Sequence, residues 1–189
     1  MHKQYQINPA AGAKFTLEVG KTGILSGKRH LFLFERYRGS IELDPGQPEA
    51  ARVGFAVEAG SAVCQDAWVG ERDRRKILRE ALAQVMRVEQ YPELSFASTG
   101  VRVQTEARYE VLGGLTVRDV TKPVRIEVSL EPGWGEQVQM MGRARVRLSD
   151  YGIKPPATLL GLVGTKDEMI GEFLLVAIKE WDRAGTSAG

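Results

Sequence analysis

Residues 137–148 alternate between polar and apolar side chains almost without interruption, and the pattern ends in the turn-forming segment 149–156. A β-strand places successive side chains on opposite faces, so this period of two predicts a strand with one solvated and one buried face. The solvated face includes Gln137, Gln139, Arg143, Arg145 and Arg147. The buried face is narrow at Gly142 and Ala144, where either a neighbouring side chain or a ligand can fill the space.

Most of the chain carries further strand patterns, separated by turns rich in glycine and proline. They cover residues 14–19, 30–35, 37–43, 52–58, 92–98 with 101–103, 108–112 with 115–117, 124–130 and 168–181. Residues 71–88 differ, because their apolar side chains recur every three or four positions, which predicts one inserted α-helix. About eight strands and one helix are typical of an all-β fold, either an antiparallel sandwich or a barrel. Gly113 and Gly114 interrupt one strand pattern and predict a bulge or bend.

Length and composition favour one domain over residues 1–182, followed by a flexible C-terminal tail at 183–189. The 26 basic residues are nearly matched by 24 acidic ones, so no nucleic-acid partner is expected. A single cysteine excludes an internal disulfide. Neither an apolar leader core nor an apolar run of membrane-spanning length is present, which predicts a cytoplasmic protein, or a periplasmic one if a leader was removed.

Residues able to carry catalysis or bind a metal are few. His2 and His30 are the two histidines and Cys64 is the one cysteine, so no metal site and no cofactor are predicted. His30 opens an apolar strand, and we interpret it as a hydrogen-bonded residue at the rim of the fold, with a hydrolytic role as the alternative. Asp119 and Asp167 are interpreted as turn carboxylates that accept backbone N–H bonds.

Four segments resemble the YceI-like family in the order in which that family carries them. Residues 37–41 are similar to its F-x-G-x-I motif and residues 90–98 to its Y-P-x-I-x-F-x-S strand. Residues 112–124 resemble its segment G-x-L-T-hydrophobic-x-G-V-T-x-P-V, and residues 147–153 resemble its R-x-D-F/Y-G-I corner. Each motif is short, but together they cover most of the chain from about residue 5 to residue 180.

The chain also departs from the family pattern. Asp119 stands where glycine is usual before Val-Thr, Arg29 replaces the glycine before His30, and residues 8–12 lack the early His-Ser. The barrel motifs are intact. The resemblance therefore implies an eight-stranded, antiparallel, lipocalin-like β-barrel that binds a polyisoprenoid or quinone-type lipid without catalysing a reaction.

The apolar strand faces supply the candidate ligand-binding residues. These side chains either pack against one another or line an elongated lumen, and the resemblance favours the lumen. They are Phe15, Leu17, Val53, Phe55, Val57, Phe96, Ile126, Val128, Met140, Ala144 and Val146. By parity, the arginine face points away from this lumen.

The last strand is apolar on both faces over residues 173–178. One face is expected to fill the barrel, and the other must be covered by the helix or by a second subunit, so a homodimer is a candidate assembly. Two other functions stay open: a ligand-free barrel that acts as a protein-interaction or stress-related structural module, and a hydrolase that uses His30.

Overall fold

A computed structural model describes residues 3–131, 135–158 and 162–180, so the predicted tail at 183–189 lies outside the described residues. The described part is built mainly from β-strands. They are β1 (Lys3–Ile7), β2 (Lys14–Gly23), β3 (Arg29–Phe34), β4 (Tyr37–Leu43), β5 (Arg52–Glu58), β6 (Ala62–Cys64), β7 (Glu93–Thr105), β8 (Arg108–Val117), β9 (Val120–Leu130), β10 (Gln137–Arg147), β11 (Ala157–Thr158) and β12 (Val163–Lys179).

Eight of these strands form a closed antiparallel ring in the order β1-β4-β5-β7-β8-β9-β10-β12, and β12 pairs with β1 to complete it. The predicted fold class, an eight-stranded antiparallel barrel, is therefore confirmed. The ring includes β1, which was not among the predicted strands although its buried Tyr5 and Ile7 alternate with polar residues. Closure leaves the ring strands without free edges, which accounts for how a chain with so many strands avoids edge-to-edge pairing.

The long strand β12 has two neighbours on one of its edges. Near its C-terminal end, Ala177 pairs with Ile7 of β1, whereas Phe173 pairs with Phe15 of β2. Beyond β2 the sheet continues through β3 to β6, outside the eight-stranded ring. The wall beside β12 therefore consists of β1 and β4 at one end of the barrel and of β2, β3 and β6 at the other.

The predicted helix begins at Glu71, as expected, and consists of α1 (Glu71–Glu80) continued by a π-helical segment (Ala81–Met86). It ends at Arg87, whose φ of 52° is left-handed, so the helical part is slightly shorter than the predicted 71–88. The apolar side chains that produced the periodicity are half-buried and pack against the barrel core: Ile77, Leu78, Ala81, Leu82 and Val85.

Arg118 joins the end of this helix to the barrel rim. It occupies the tight turn between β8 and β9 with a left-handed φ of 58°. Its Nε donates to the carbonyl of Val85 at 2.9 Å and its Nη2 donates to the carbonyl of Gln84 at 2.9 Å. Carbonyl groups at a helix end lack intrahelical partners, so the guanidinium satisfies two of them and holds the helix over the barrel.

Gly113 and Gly114 do not break their strand, contrary to the sequence interpretation. Both lie inside β8, and the irregularity falls on the paired strand β7, between Ser98 and Gly100. Gly113 is needed for a different reason: a Cβ there would overlap the ring of Phe96 and the carbonyl of Ala97. The glycine thus allows a close approach between strands rather than a bend.

The segment after β10 forms the predicted corner. Ser149–Tyr151 make one 3-10 turn, and Gly152 follows with a φ of 67°, a left-handed conformation that glycine adopts at little cost. The Asp167 carboxylate accepts hydrogen bonds from the backbone N–H of Ser149 at 2.8 Å and from its hydroxyl. These bonds hold the pKa of Asp167 below its usual range. Asp167 therefore accepts a backbone N–H as predicted, but from within β12 rather than from a turn.

The outer face of β10 and β12 carries charge beside an apolar strip. Arg143 pairs with Glu172 at 3.3 Å and Arg145 with Glu168 at 2.9 Å, so the arginine face points outward as parity requires. Met141 and Ile178 are each 55% exposed on this face. The helix packs on the barrel core and does not cover them. The prediction that the helix covers the outer face of β12 is therefore wrong.

Candidate functional site

The barrel encloses an apolar lumen of about 180 Å³. Side chains from β1 to β5, β7 to β10 and β12 line it, and the hydroxyl-bearing residues among them are Ser95 and Tyr109. The Tyr109 hydroxyl donates to the carbonyl of Glu106 at the strand end, so it is already satisfied. A wall with so few polar groups suits a ligand that makes no hydrogen bonds along most of its length.

All eleven residues proposed from the sequence line this lumen. They are Phe15, Leu17, Val53, Phe55, Val57, Phe96, Ile126, Val128, Met140, Ala144 and Val146. The agreement rests on strand parity, because an inward side chain in a closed barrel has nowhere to point except the lumen. Whether a ligand contacts them stays a prediction.

The two small residues on the inner face of β10 have different surroundings. A Cβ at Gly142 would overlap the ring of Phe173, which lies opposite on β12, so a neighbour fills that gap. Ala144 lies opposite Gly171, and a Cβ built on Gly171 meets no atom within 4 Å. The free space of the lumen is therefore beside Ala144 and Gly171.

Aromatic rings form one side of the lumen. The ring of Phe15 lies 5.6 Å from that of Phe34 and 5.5 Å from that of Phe55, and Phe55 lies 5.7 Å from Tyr37. Such tilted and edge-on pairs stabilise aromatic clusters beyond the effect of burial alone. The Tyr37 hydroxyl is buried with no hydrogen-bond partner among the described residues, and burial raises its pKa.

A second cavity, the mouth cleft, lies between the helix and the barrel end formed by β2, β3 and β12. Its volume is about 620 Å³. Five side chains line both the mouth cleft and the lumen, so no more than one layer of side chains separates the two spaces. These are Leu17, Phe34, Met86, Leu148 and Met169.

His30 lies at the wall of the mouth cleft and is mostly buried. Its Nδ1 donates to Oδ2 of Asp66 at 2.6 Å, and Oδ1 of Asp66 accepts the backbone N–H of Leu31 at 2.8 Å. The carboxylate thus fixes the imidazole, as in the sequence interpretation of a hydrogen-bonded rim residue. The ring of Trp68 stacks on the same imidazole with centroids 5.7 Å apart.

Lys21 is a buried cation in the same wall, with 9% of its surface exposed. Its Nζ lies 3.4 Å from Oγ1 of Thr165, a long contact, and desolvation lowers its pKa while the charge of Asp66 partly opposes that shift. No group of three or more histidine, cysteine, aspartate or glutamate side chains able to hold a metal occurs among the described residues.

Sequence reasoning missed Lys21 and Asp66. The alternation in the sequence predicts a strand that ends at Val19, whereas β2 continues to Gly23. Its odd-numbered inner row therefore includes Lys21. An unbroken parity count would have found it. Asp66 follows β6 in a segment without periodicity, so no pattern connects it to His30.

Comparison with known proteins gives one family. The YceI-like domain matches residues 5–176. The chain is 30% identical over 128 residues to the UPF0312 protein PputGB1_5030 of Pseudomonas putida (strain GB-1), and to a UPF0312 protein of Pseudomonas syringae pv. syringae. These matches span 65% of this chain and 63% of the length of those relatives.

Solved structures share the barrel. Burkholderia cenocepacia BcnA superposes with a TM-score of 0.67 at 16% identity, covering 88% of this chain and 96% of that one. A polyisoprenoid binding domain from Saccharophagus degradans, implicated in plant cell wall breakdown, gives a TM-score of 0.61 at 8% identity, with coverage of 93% and 98%. Within the part of the chain that is described, no helix is long and apolar enough to cross a membrane. From the domain match over residues 5–176, the chain belongs to the YceI-like family.

Proposed function

We propose that this protein binds the apolar tail of a polyisoprenoid or quinone-type lipid in its barrel lumen. The observation that carries the proposal is the closed tube of about 180 Å³ with almost no polar atoms on its wall. Water gains few hydrogen bonds in such a space, so an apolar occupant is favoured. The Saccharophagus degradans neighbour, described as a polyisoprenoid binding domain, supports the same class of ligand.

The size of the lumen sets the expected affinity. An apolar cavity of about 150 Å³ accommodates benzene, so the 180 Å³ lumen holds about six carbon atoms without rearrangement. At about 0.8 kcal/mol for each buried CH₂, six carbons contribute about 5 kcal/mol before the costs of association. A longer tail needs side chains to move, and Met140 and Met169, which line the lumen, are flexible enough to do so.

A binding role without catalysis fits the groups around His30. The described hydroxyl-bearing residues that line the mouth cleft are Thr158 and Thr165, and neither has a hydrogen bond to the imidazole. Burial raises the pKa of the Cys64 thiol, which disfavours the nucleophilic thiolate. The His30–Asp66 pair therefore lacks an activated nucleophile among the described residues that line the cleft.

Extraction of the purified protein with organic solvent, followed by mass spectrometry, tests the proposal directly. We expect an isoprenoid-type lipid, or uptake of an added one into emptied protein. A folded protein that yields no lipid and takes up none would favour the alternative, a ligand-free interaction module whose contact surface includes the exposed Met141 and Ile178. Sedimentation of the ligand-free protein at several concentrations would show whether that strip pairs two copies.

The hydrolase alternative has its own test. Ester hydrolysis that is abolished in His30→Ala, with the fold retained, would overturn the non-catalytic proposal. The expected cytoplasmic location is likewise open to cell fractionation with an antibody to this chain.

A further inference from the structure

The mouth cleft carries polar side chains that the lumen lacks, and one of them is a buried cation. We propose that it binds an anionic head group, carboxylate or phosphate, on the ligand whose apolar tail occupies the lumen. The inference rests on the proposed function and adds the chemical class of the ligand's other end. Its main contact is the ammonium of Lys21.

The position of Lys21 follows from the inner row of β2. That row reads Phe15, Leu17, Val19 and Lys21, so the first three residues continue the apolar wall and the fourth places an ammonium at its end. Thr165 of β12 pairs directly with Lys21 across the sheet. On the other side of β2, His30 pairs with Val19, the inner-row residue that precedes Lys21. Two groups able to donate to an oxygen anion, the Lys21 ammonium and the Thr165 hydroxyl, therefore lie on one wall of the cleft, beside the imidazole of His30.

The ammonium of Lys21 has no ion-pair partner among the described residues. Its one hydrogen bond is the long contact to Thr165, and Asp66 acts on it only at longer range. Both Asp66 oxygens are already engaged, one by His30 and one by the backbone of Leu31. A buried charge without a close partner is costly, and an incoming anion would remove that cost.

His30 is the second buried polar group in the cleft wall. Because its Nδ1 donates to Asp66, Nε2 of the neutral imidazole is an acceptor, so it can bond the O–H of a carboxylic acid or of a singly ionised phosphate but not an oxygen anion. The acidic residues that also line the cleft, Asp73 and Glu80, lie on the exposed side of the helix together with Lys76. They border the opening, whereas Lys21 and His30 are the buried polar groups in the wall.

We assign tail and head to one molecule because no more than one layer of side chains lies between the two cavities. From Phe15 to Lys21 the strand advances six residues, about 20 Å at 3.4 Å per residue. A ligand lying along β2 would therefore have its tail beside Phe15 in the lumen and its head beside Lys21. The shared layer includes Met86 and Met169, whose unbranched side chains adapt readily to a passing chain.

Three probes with one fifteen-carbon tail separate the head from the tail: farnesol, farnesoic acid and farnesyl phosphate. Binding to the full chain is followed by tryptophan fluorescence, since Trp68 lines the cleft and stacks on His30. Trp68→Phe identifies the part of the signal that comes from this site. We expect farnesoic acid, farnesyl phosphate or both to bind at least tenfold more tightly than farnesol.

Lys21→Met should abolish this preference and leave farnesol affinity within twofold, whereas Lys21→Arg should retain it. The matched control is Lys76→Met, which removes an exposed lysine of the same cleft and should retain the preference. Equal affinity of the wild type for all three probes, or a preference that survives in folded Lys21→Met, would overturn the head-group site while farnesol binding upholds the lumen. If no probe binds, the proposed function fails as well.

Discussion

Gly171 offers the sharpest test of where the ligand lies. It faces the lumen opposite Ala144, and a Cβ at this position meets no atom within 4 Å. Its φ lies outside the left-handed range, so a larger residue is not strained there. We therefore predict that Gly171→Leu fills the lumen without disturbing the barrel.

The magnitudes follow from the carbon atoms added. Burying a leucine side chain stabilises the fold by about 1.5–3 kcal/mol, and replacing a strand glycine adds about 0.5–1 kcal/mol. The same four carbons displace about four ligand carbons, which removes about 3 kcal/mol of binding free energy. At 1.4 kcal/mol per tenfold change, ligand affinity should fall by about a hundredfold.

Two measurements check these numbers: the free energy of unfolding from urea denaturation, and the dissociation constant of farnesol from fluorescence titration. The control is Gly54→Leu, which adds the same side chain on the outer face of β5, where a Cβ makes only an ordinary contact with Ser40. Gly142→Ala should instead destabilise the protein by about 1–3 kcal/mol, because Phe173 already occupies that space. A folded Gly171→Leu that keeps wild-type affinity would refute the placement of the ligand.

Three further predictions concern other parts of the fold. Ala144→Trp should block the lumen and abolish lipid uptake with the circular dichroism spectrum retained; undiminished uptake would contradict the assigned lining. Arg118→Ala removes the hydrogen bonds to the carbonyls of Gln84 and Val85, so amide exchange in residues 81–86 should accelerate while the β-sheet amides stay protected. Burial raises the pKa of Tyr151 to about 12, so between pH 10 and pH 12 the unfolded chain loses a proton that the folded one retains. Wild type should therefore lose about 2 kcal/mol more stability than Tyr151→Phe across that interval, as measured by urea denaturation at each pH.

The inward row of each strand could be predicted from the sequence because alternation decides it, whereas the family resemblance was needed to favour a lumen over a filled core. When a strand such as β10 has one apolar row, that row must point into the closed barrel. Met140 and Ala144 are therefore assigned to the lumen because every second residue of β10 points inward. Phe173 could not be assigned in this way, because both faces of its strand are apolar there and alternation does not distinguish the inner from the outer face. Only the paired position of Gly142 shows that its ring fills the lumen.

The mouth cleft was beyond sequence reasoning for a different reason. Lys21 on β2 and Thr165 on β12 are far apart in the chain, and the carboxylate of Asp66, which fixes His30, comes from a third segment after β6. Their meeting depends on strand pairing, and pairing between distant strands leaves no local signal in either segment. The helix was predicted from its periodicity, but its docking depends on Arg118, a single turn residue whose partners are backbone carbonyls.

The long strand β12, which changes its pairing partner along its length, borders both cavities. Near Ala177 this strand pairs with β1 and closes the apolar barrel, while from Leu174 back to Val163 it pairs with β2. The inner row of β2 changes from Val19 to Lys21 within two residues, about 7 Å of strand. A ligand extended along this wall would meet hydrocarbon and then an ammonium over that distance. A pure hydrocarbon would leave the buried charge of Lys21 unpaired, and for that reason the proposed head-group site favours an amphipathic lipid over an apolar one.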